Sequence, residues 1–123
     1  EMKKQKGTLV DDLYYYEGDK KNKVKAVTHY KVLDSNKKYS LLKLSPETGR
    51  KHQIRKQLLI QSCPILGDNK YRTSTIYKKK NDNLFLHAYK INFSINNIKY
   101  NYYAEPPITF KKMLKEKYLK IFE

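Results

Sequence analysis

Between Ile91 and Tyr102 the chain alternates so strictly that extended backbone is the only regular structure it suits. Ile91, Phe93 and Ile95 are separated by Asn92 and Ser94, and Ile98, Tyr100 and Tyr102 by Lys99 and Asn101. Successive side chains of a strand point to opposite faces, so a period of two puts all six apolar residues on one side; a helix would scatter them. Asn96-Asn97 divides the two runs, and asparagine tolerates the left-handed backbone of a tight hairpin turn. A β-hairpin is predicted here, its first strand drawn from Leu84–Phe93.

The same reasoning finds an earlier hairpin. Ala26, Thr28, Tyr30 and Val32 share one face of a strand over Ala26–Leu33, Asp34-Ser35-Asn36-Lys37 supplies turn chemistry, and Tyr39–Leu44 reads as the return. Ahead of it, the chain through Lys25 reads as polar and irregular, apart from short strands at Thr8-Leu9-Val10 and Leu13-Tyr14-Tyr15-Tyr16. Ser45–Gly49 is a loop. His52 to about Gln61 has helical spacing, with Ile54, Leu58 and Leu59 on one face, Lys51, Lys56 and Gln57 polar, and Thr48 placed to cap the first turn. Pro64 then imposes an extended connection through Gly67. Ser74–Asn83 is a lysine-rich loop, and Phe110, Met113, Leu114, Tyr118 and Ile121 form the apolar stripe of a closing helix. The expected class is α+β: mostly antiparallel β-hairpins forming part of a mixed sheet, with two helices.

Composition narrows the function. No apolar run approaches the ~20 residues of a spanning helix, and Glu1-Met2-Lys3-Lys4-Gln5-Lys6 does not read as a signal peptide. The single cysteine, Cys63, cannot close an internal disulfide, and no Cys/His spacing suits zinc. A cytoplasmic chain without metal or membrane attachment is expected. Its 27 Lys and Arg against 12 Asp and Glu leave a formal charge of +15, which calls for a polyanionic partner. Lysine enrichment also follows from A/T-rich coding, so charge alone leaves a generic basic protein open. Arginine is more selective. Only Arg50, Arg55 and Arg72 occur, and where lysine is the default cation an arginine marks a place for a planar, multi-donor fork.

Two of those arginines sit in the block Leu44-x-Pro46-x-Thr48-Gly49-Arg50-Lys51-His52-Gln53-Ile54-Arg55, which is followed by Pro64-Ile65-Leu66-Gly67-Asp68-x-x-Tyr71. In order and distance the two blocks resemble the RluA-type RNA pseudouridine synthases. Leu86-His87-Ala88 and Ala104-Glu105-Pro106-Pro107, with Phe110 beyond, are similar to later segments of that family. The chain departs from the pattern at Lys51, where the family often has Thr, and at Lys56-Gln57, where Val-His is frequent. A related family of small-subunit rRNA synthases shares a Gly-Arg-x-x-Gln-x-Arg stretch, but Thr48 and the Pro-Ile-x-Gly-Asp block favour the large-subunit type.

The resemblance implies that residues 1–123 are the C-terminal part of a pseudouridine synthase catalytic domain. Such a domain isomerises uridine in RNA, large-subunit ribosomal RNA above all, with no cofactor. The family's nucleophilic aspartate lies in an Arg-Leu-Asp motif upstream of everything here. Leu33-Asp34 is the nearest comparison, but it lacks the arginine and precedes a polar turn. The fragment alone is therefore expected to be inactive and the aspartate-bearing half to lie in a longer parent. Arg55 matches the arginine that pairs with the aspartate, and Ile54 the aliphatic residue packed against the target base, with an ordinary core role as the alternative. Arg50, His52 and Gln53 complete the expected substrate-binding set. Arg50 either binds a phosphate or anchors its loop, and His52 fixes the loop by hydrogen bonding rather than acting as an acid. Gly49 is expected at a sharp backbone turn, Asp68 as the cap of a turn or helix start, and His29 and His87 as structural. The family's active-site tyrosine belongs upstream and maps onto no residue here. Tyr14-Tyr15-Tyr16, Tyr100, Tyr102 and Tyr103 are expected as half-buried strand aromatics, with base stacking as the competing role. RNA is the expected partner and a monomer the expected state; the alternative is a non-catalytic basic RNA-binding module.

Overall fold

The computed structural model describes residue 2, residues 4–72 and residues 84–121; the expected Ser74–Asn83 loop lies outside the described residues. Strand β1 (Lys6–Glu17) turns through Gly18-Asp19 into β2 (Lys20–Ser35), and β3 (Ser40–Pro46) returns beside β2. Both pairings are antiparallel and the order is β1-β2-β3. The upstream hairpin is thus borne out, with a bulge between Val32 and Asp34. Asp34 serves the turn region: it accepts the Ser35 amide at Oδ1 and the Lys120 amide at Oδ2.

The polar start is not irregular. One 12-residue strand replaces the two short ones. Asp11 and Asp12 interrupt its apolar pattern, yet Asp11 has a donor in Gln57 Nε2 (2.9 Å), from the helix that packs over this face, so the strand runs on.

Helix α1 (Gln53–Ile60) covers the face bearing Leu9, Leu13, Ala26 and Thr28, all buried. Its eight residues span ~12 Å, whereas the hairpin beneath runs ~40 Å. The far end of the hairpin is consequently left in solvent: Tyr16 is 69% exposed and Tyr14 and Tyr15 are also exposed. This corrects the expectation of half-buried aromatics there, and Tyr102 and Tyr103 are likewise exposed.

The second hairpin is β4 (Lys90–Ile95) and β5 (Ile98–Tyr103), joined at Asn96-Asn97 with φ of 50° and 66°, the double left-handed turn that suits a two-residue loop. It forms a sheet of its own, so the described strands make two antiparallel sheets rather than one mixed sheet. The expected strand start at Leu84 is not realised. Residues 84–89 carry no strand pairing; instead Phe85 and His87 pack on Phe110, and His87 Nε2 donates to the Ala104 carbonyl (2.8 Å).

Helix α2 (Ile108–Glu116) ends before Tyr118. Tyr118 adopts φ 58° while the Leu119 amide reaches the Leu114 carbonyl and the Tyr118 amide the Lys115 carbonyl, the bond pair of a Schellman stop. The reversal turns Tyr118 out, at 88% exposed, and buries Leu119 against the core in its place. Helix α1 stops the same way, with Ser62 at φ 60°. The closing segment is tied back to the β2–β3 turn by Asn36 Nδ2 donating to the Lys117 carbonyl (2.7 Å). No described helix is long and apolar enough to cross a membrane.

Candidate active site

The loop between β3 and α1 is held by one buried glutamine. Gln53 Oε1 accepts from the Thr48 hydroxyl (2.7 Å) and the Arg50 amide (3.0 Å); Nε2 donates to the Val27 carbonyl (3.0 Å) and the Thr28 hydroxyl (2.8 Å). Those four bonds fill the capacity of the amide. Thr48 is therefore not the helix cap expected of it: its oxygen also accepts from the Val27 amide (2.9 Å), fixing the loop to β2. His52 stands at the cap position in left-handed backbone (φ 52°) with no side-chain capping bond. Gly49 needs no glycine for its backbone, which is not left-handed, and the space around it is open.

One turn into α1, Arg55 points at Asp68. Nε donates to Oδ2 and Nη2 to Oδ1, both at 2.8 Å. The Asp68 side chain is 0% exposed and that of Arg55 20%. Oδ1 also accepts the Lys70 and Tyr71 amides at 3.0 and 2.9 Å. The expected capping role of Asp68 in its turn is thus observed, but the carboxylate is shared with Arg55. The Arg55 fork holds Asp68 well below the usual carboxylate range, helped by the Tyr71 and Lys70 amides against the cost of burial. The same bond raises Arg55 further above its already high value.

Tyr71 completes the arrangement. Its ring lies 4.8 Å from the Arg55 guanidinium carbon, and its hydroxyl is 2.9 Å from His52 Nδ1. Burial, then the neighbouring Arg55, Lys70, Lys51 and Lys56 charges, hold His52 below its ordinary value. The His52 side chain meets Tyr71, 19 residues on, outside its own loop. Asp68 and Tyr71 belong to the second sequence block, whose Asp-x-x-Tyr spacing was the signal; their convergence on Arg55 was not read from it.

Ile54, next to Arg55, is half-buried and lines a groove of about 1050 Å³ together with Leu44, Leu58, Ile65 and Phe85. Arg50 is exposed, and its Nε donates to the Lys25 carbonyl (3.1 Å). Lys25 belongs to the face of the β1–β2 hairpin opposite α1, which also carries Tyr14 and Tyr16 across from Lys23 and Lys21. Lys21 Nζ sits 4.4 Å from the Tyr14 ring centre. Toward the hairpin tip this face carries Lys25, Lys23 and Lys21 with the exposed Tyr14 and Tyr16, and Asp12, opposite Lys25, lies 3.9 Å from Lys23 Nζ. His29 bridges Thr8 and Glu47, at 2.9 Å each, the structural role expected. Among the described residues no three His, Cys, Asp or Glu side chains group as metal ligands.

The family model described as RNA pseudouridylate synthase matches residues 1–59. The chain is 43% identical over 76 residues to "Ribosomal large subunit pseudouridine synthase C" of Rickettsia conorii, covering 59% of this chain and 24% of that protein. It is 43% identical over 72 residues to "Ribosomal large subunit pseudouridine synthase D" of Borreliella burgdorferi, covering 58% and 22%. In structure it is similar to human RNA Pseudouridylate Synthase Domain Containing 4, with a TM-score of 0.75, 26% identity, 95% of this chain and 58% of that one. The aligned segments thus span about a quarter of the length of these curated relatives.

Proposed function

We propose, for a chain that belongs to the RluA-type RNA pseudouridine synthases, that residues 1–123 form the C-terminal part of a catalytic domain isomerising uridine to pseudouridine in RNA. Large-subunit ribosomal RNA is the substrate in this reading, as the names of the bacterial relatives suggest. The observation that carries it is Arg55: a part-buried guanidinium with one edge fixed by Asp68, beside Ile54 at a groove. A nucleophilic carboxylate needs a cation that keeps it ionised and oriented, and a planar fork does this better than an ammonium group. Ile54 offers the flipped base an apolar floor in exchange for lost stacking.

The remaining expected site residues divide. Arg50, anchored by Nε and otherwise exposed, meets a phosphate, as do Lys21, Lys23 and Lys25 along the hairpin, while Tyr14 and Tyr16 stack on bases. Gln53 and His52 are assigned to the scaffold: the first builds the loop and the second steadies Tyr71. The nucleophilic aspartate comes from an upstream segment, the reaction needs no cofactor, and the protein works as a cytoplasmic monomer. A second reading, a non-catalytic RNA-binding module, draws on the carboxylate that Arg55 already holds in Asp68; an Arg-Leu-Asp segment upstream separates the two.

Tritium release from carbon-5-labelled uridine in ribosomal RNA tests the proposal. The full-length protein should turn over in the presence of a chelator and the 123-residue chain should not. Arg55→Lys should lower the single-turnover rate by orders of magnitude with RNA affinity near wild type, because misplacing a reacting group costs rate directly. Turnover by the isolated chain would refute the missing nucleophile, and a wild-type rate in Arg55→Lys the role of Arg55.

A further inference from the structure

We propose that Asp68 is a positioning residue, gripping Arg55 by its Nε–Nη2 edge so that the Nη1 side of the guanidinium faces the nucleophilic carboxylate. The inference rests on Arg55 serving that nucleophile.

A guanidinium carries five N–H donors in one plane. Asp68 takes one on Nε and one on Nη2. Three donors remain, two on Nη1 and one on Nη2, enough for a second bidentate carboxylate on the adjoining edge. Asp68 itself cannot attack or exchange protons. Its side chain is wholly buried, and its two oxygens already accept from Arg55 twice, from the Lys70 amide and from the Tyr71 amide. It is a fixed anion, and its effect passes through Arg55.

The grip has a second dimension. Bonds to Asp68 fix the guanidinium in its plane, while the Tyr71 ring beneath Cζ, held by its hydroxyl on His52, limits tilting out of it. An arginine side chain otherwise has ~2 kcal/mol of rotamer entropy to lose. Residues 52–55 supply the guanidinium and the histidine, and residues 68–71 the anion and the ring. That gives the fixed distance between the two sequence blocks a physical meaning: the turn opened by Gly67, at φ 81°, brings the second block to the first.

The test is a double-variant cycle in the full-length protein, reading single-turnover rate at saturating enzyme, with RNA affinity and thermal melting measured separately. Asp68→Asn should slow the rate about 10- to 100-fold, the scale of an ångström-level misplacement, with affinity within about twofold. The Asp68→Asn/Arg55→Lys double variant should be no slower than Arg55→Lys alone, since both changes remove one positioned group. A wild-type rate in Asp68→Asn beside a slow Arg55→Lys would overturn the inference and leave the proposed function standing. Multiplying effects in the double variant would make Asp68 a structural residue only, which also overturns it. A wild-type rate in Arg55→Lys would remove the proposed function, and the inference with it. Should Asp68→Asn fail to melt cooperatively, Asp68→Glu replaces it in the same cycle: it keeps the charge, displaces the carboxylate by one methylene and should show the same loss and the same non-additivity.

Discussion

The Thr28 hydroxyl donates to Oε1 of Gln57, and both side chains are buried where helix α1 crosses the centre of strand β2. Gln57 Nε2 faces the Leu9 carbonyl (3.2 Å), the Ala26 carbonyl (3.1 Å) and Asp11 Oδ2 (2.9 Å). One amide thereby joins α1 to both strands of the long hairpin, and Gln53 one turn earlier joins it to the β3–α1 loop. The helix that presents Ile54 and Arg55 is seated on polar bonds as much as on Leu58.

Replacing Gln57 by leucine keeps the volume and removes every one of those bonds. The buried Thr28 loses its acceptor and the part-buried Asp11 a donor, and leaving a buried polar group unsatisfied costs about 1–3 kcal/mol. Urea unfolding should show a lower midpoint with an unchanged m-value. A midpoint equal to wild type would mean that the amide contributes nothing net to seating α1.

His52 should titrate below the ordinary histidine value near 6.5. Its folded-state value is depressed, so the associated stability is present above the unfolded value of ~6.5 and is lost as pH falls through that value toward the lower folded one. Protonation makes Nδ1 a donor to the Tyr71 hydroxyl oxygen and sets a second cation beside Arg55. NMR of the ring protons gives the midpoint directly. Arg55→Met should raise it only part of the way, since burial is the larger cause; a midpoint above 6.5 in the unaltered protein would contradict the geometry around Tyr71.

RNA affinity should separate charge from stacking on the outer hairpin face. With roughly five to eight phosphates neutralised, log K should fall with log salt at a slope of about −4 to −6 on single strands. Lys21→Ala or Lys23→Ala should each reduce that slope by about 0.7. Tyr14→Ala or Tyr16→Ala should weaken binding about 5- to 100-fold, the range of one lost base stack, and leave the slope alone. Tyrosine variants that bind like wild type would take the RNA path off this face.

The legible parts of the chain were those where many weak signals add. Alternation over Ile91–Tyr102 and Ala26–Leu44 located the β4–β5 and β2–β3 hairpins because each residue's facing repeats the same message, whereas Asp11 and Asp12 broke that pattern in β1 and hid the β1–β2 hairpin. Gln57 misled for the opposite reason: on a helical wheel it lies among polar residues, and its burial is made favourable by Thr28, Asp11 and the Leu9 and Ala26 carbonyls, which the sheet supplies. Tyr118 continued an apolar stripe by spacing, yet the Schellman stop at Lys117 reset the phase, which no count of threes and fours registers. The candidate site was half legible. The two sequence blocks placed Arg55, Ile54 and Arg50, but the Arg55–Asp68 pair spans 13 residues across a helix stop and a turn, and such pairing follows from how the chain doubles back.

On β4 and β5, Ile91 stands opposite Tyr102, Phe93 opposite Tyr100 and Ile95 opposite Ile98, with all but Tyr100 exposed. Among the described residues this ribbon has no third strand on either side. An apolar strand pair with unpaired backbone edges is a template for like segments of other molecules. In concentrated stocks of the isolated chain this ribbon should be where molecules first stick to one another, and Ile95→Lys, near its tip, should keep them apart without touching the residues around Arg55.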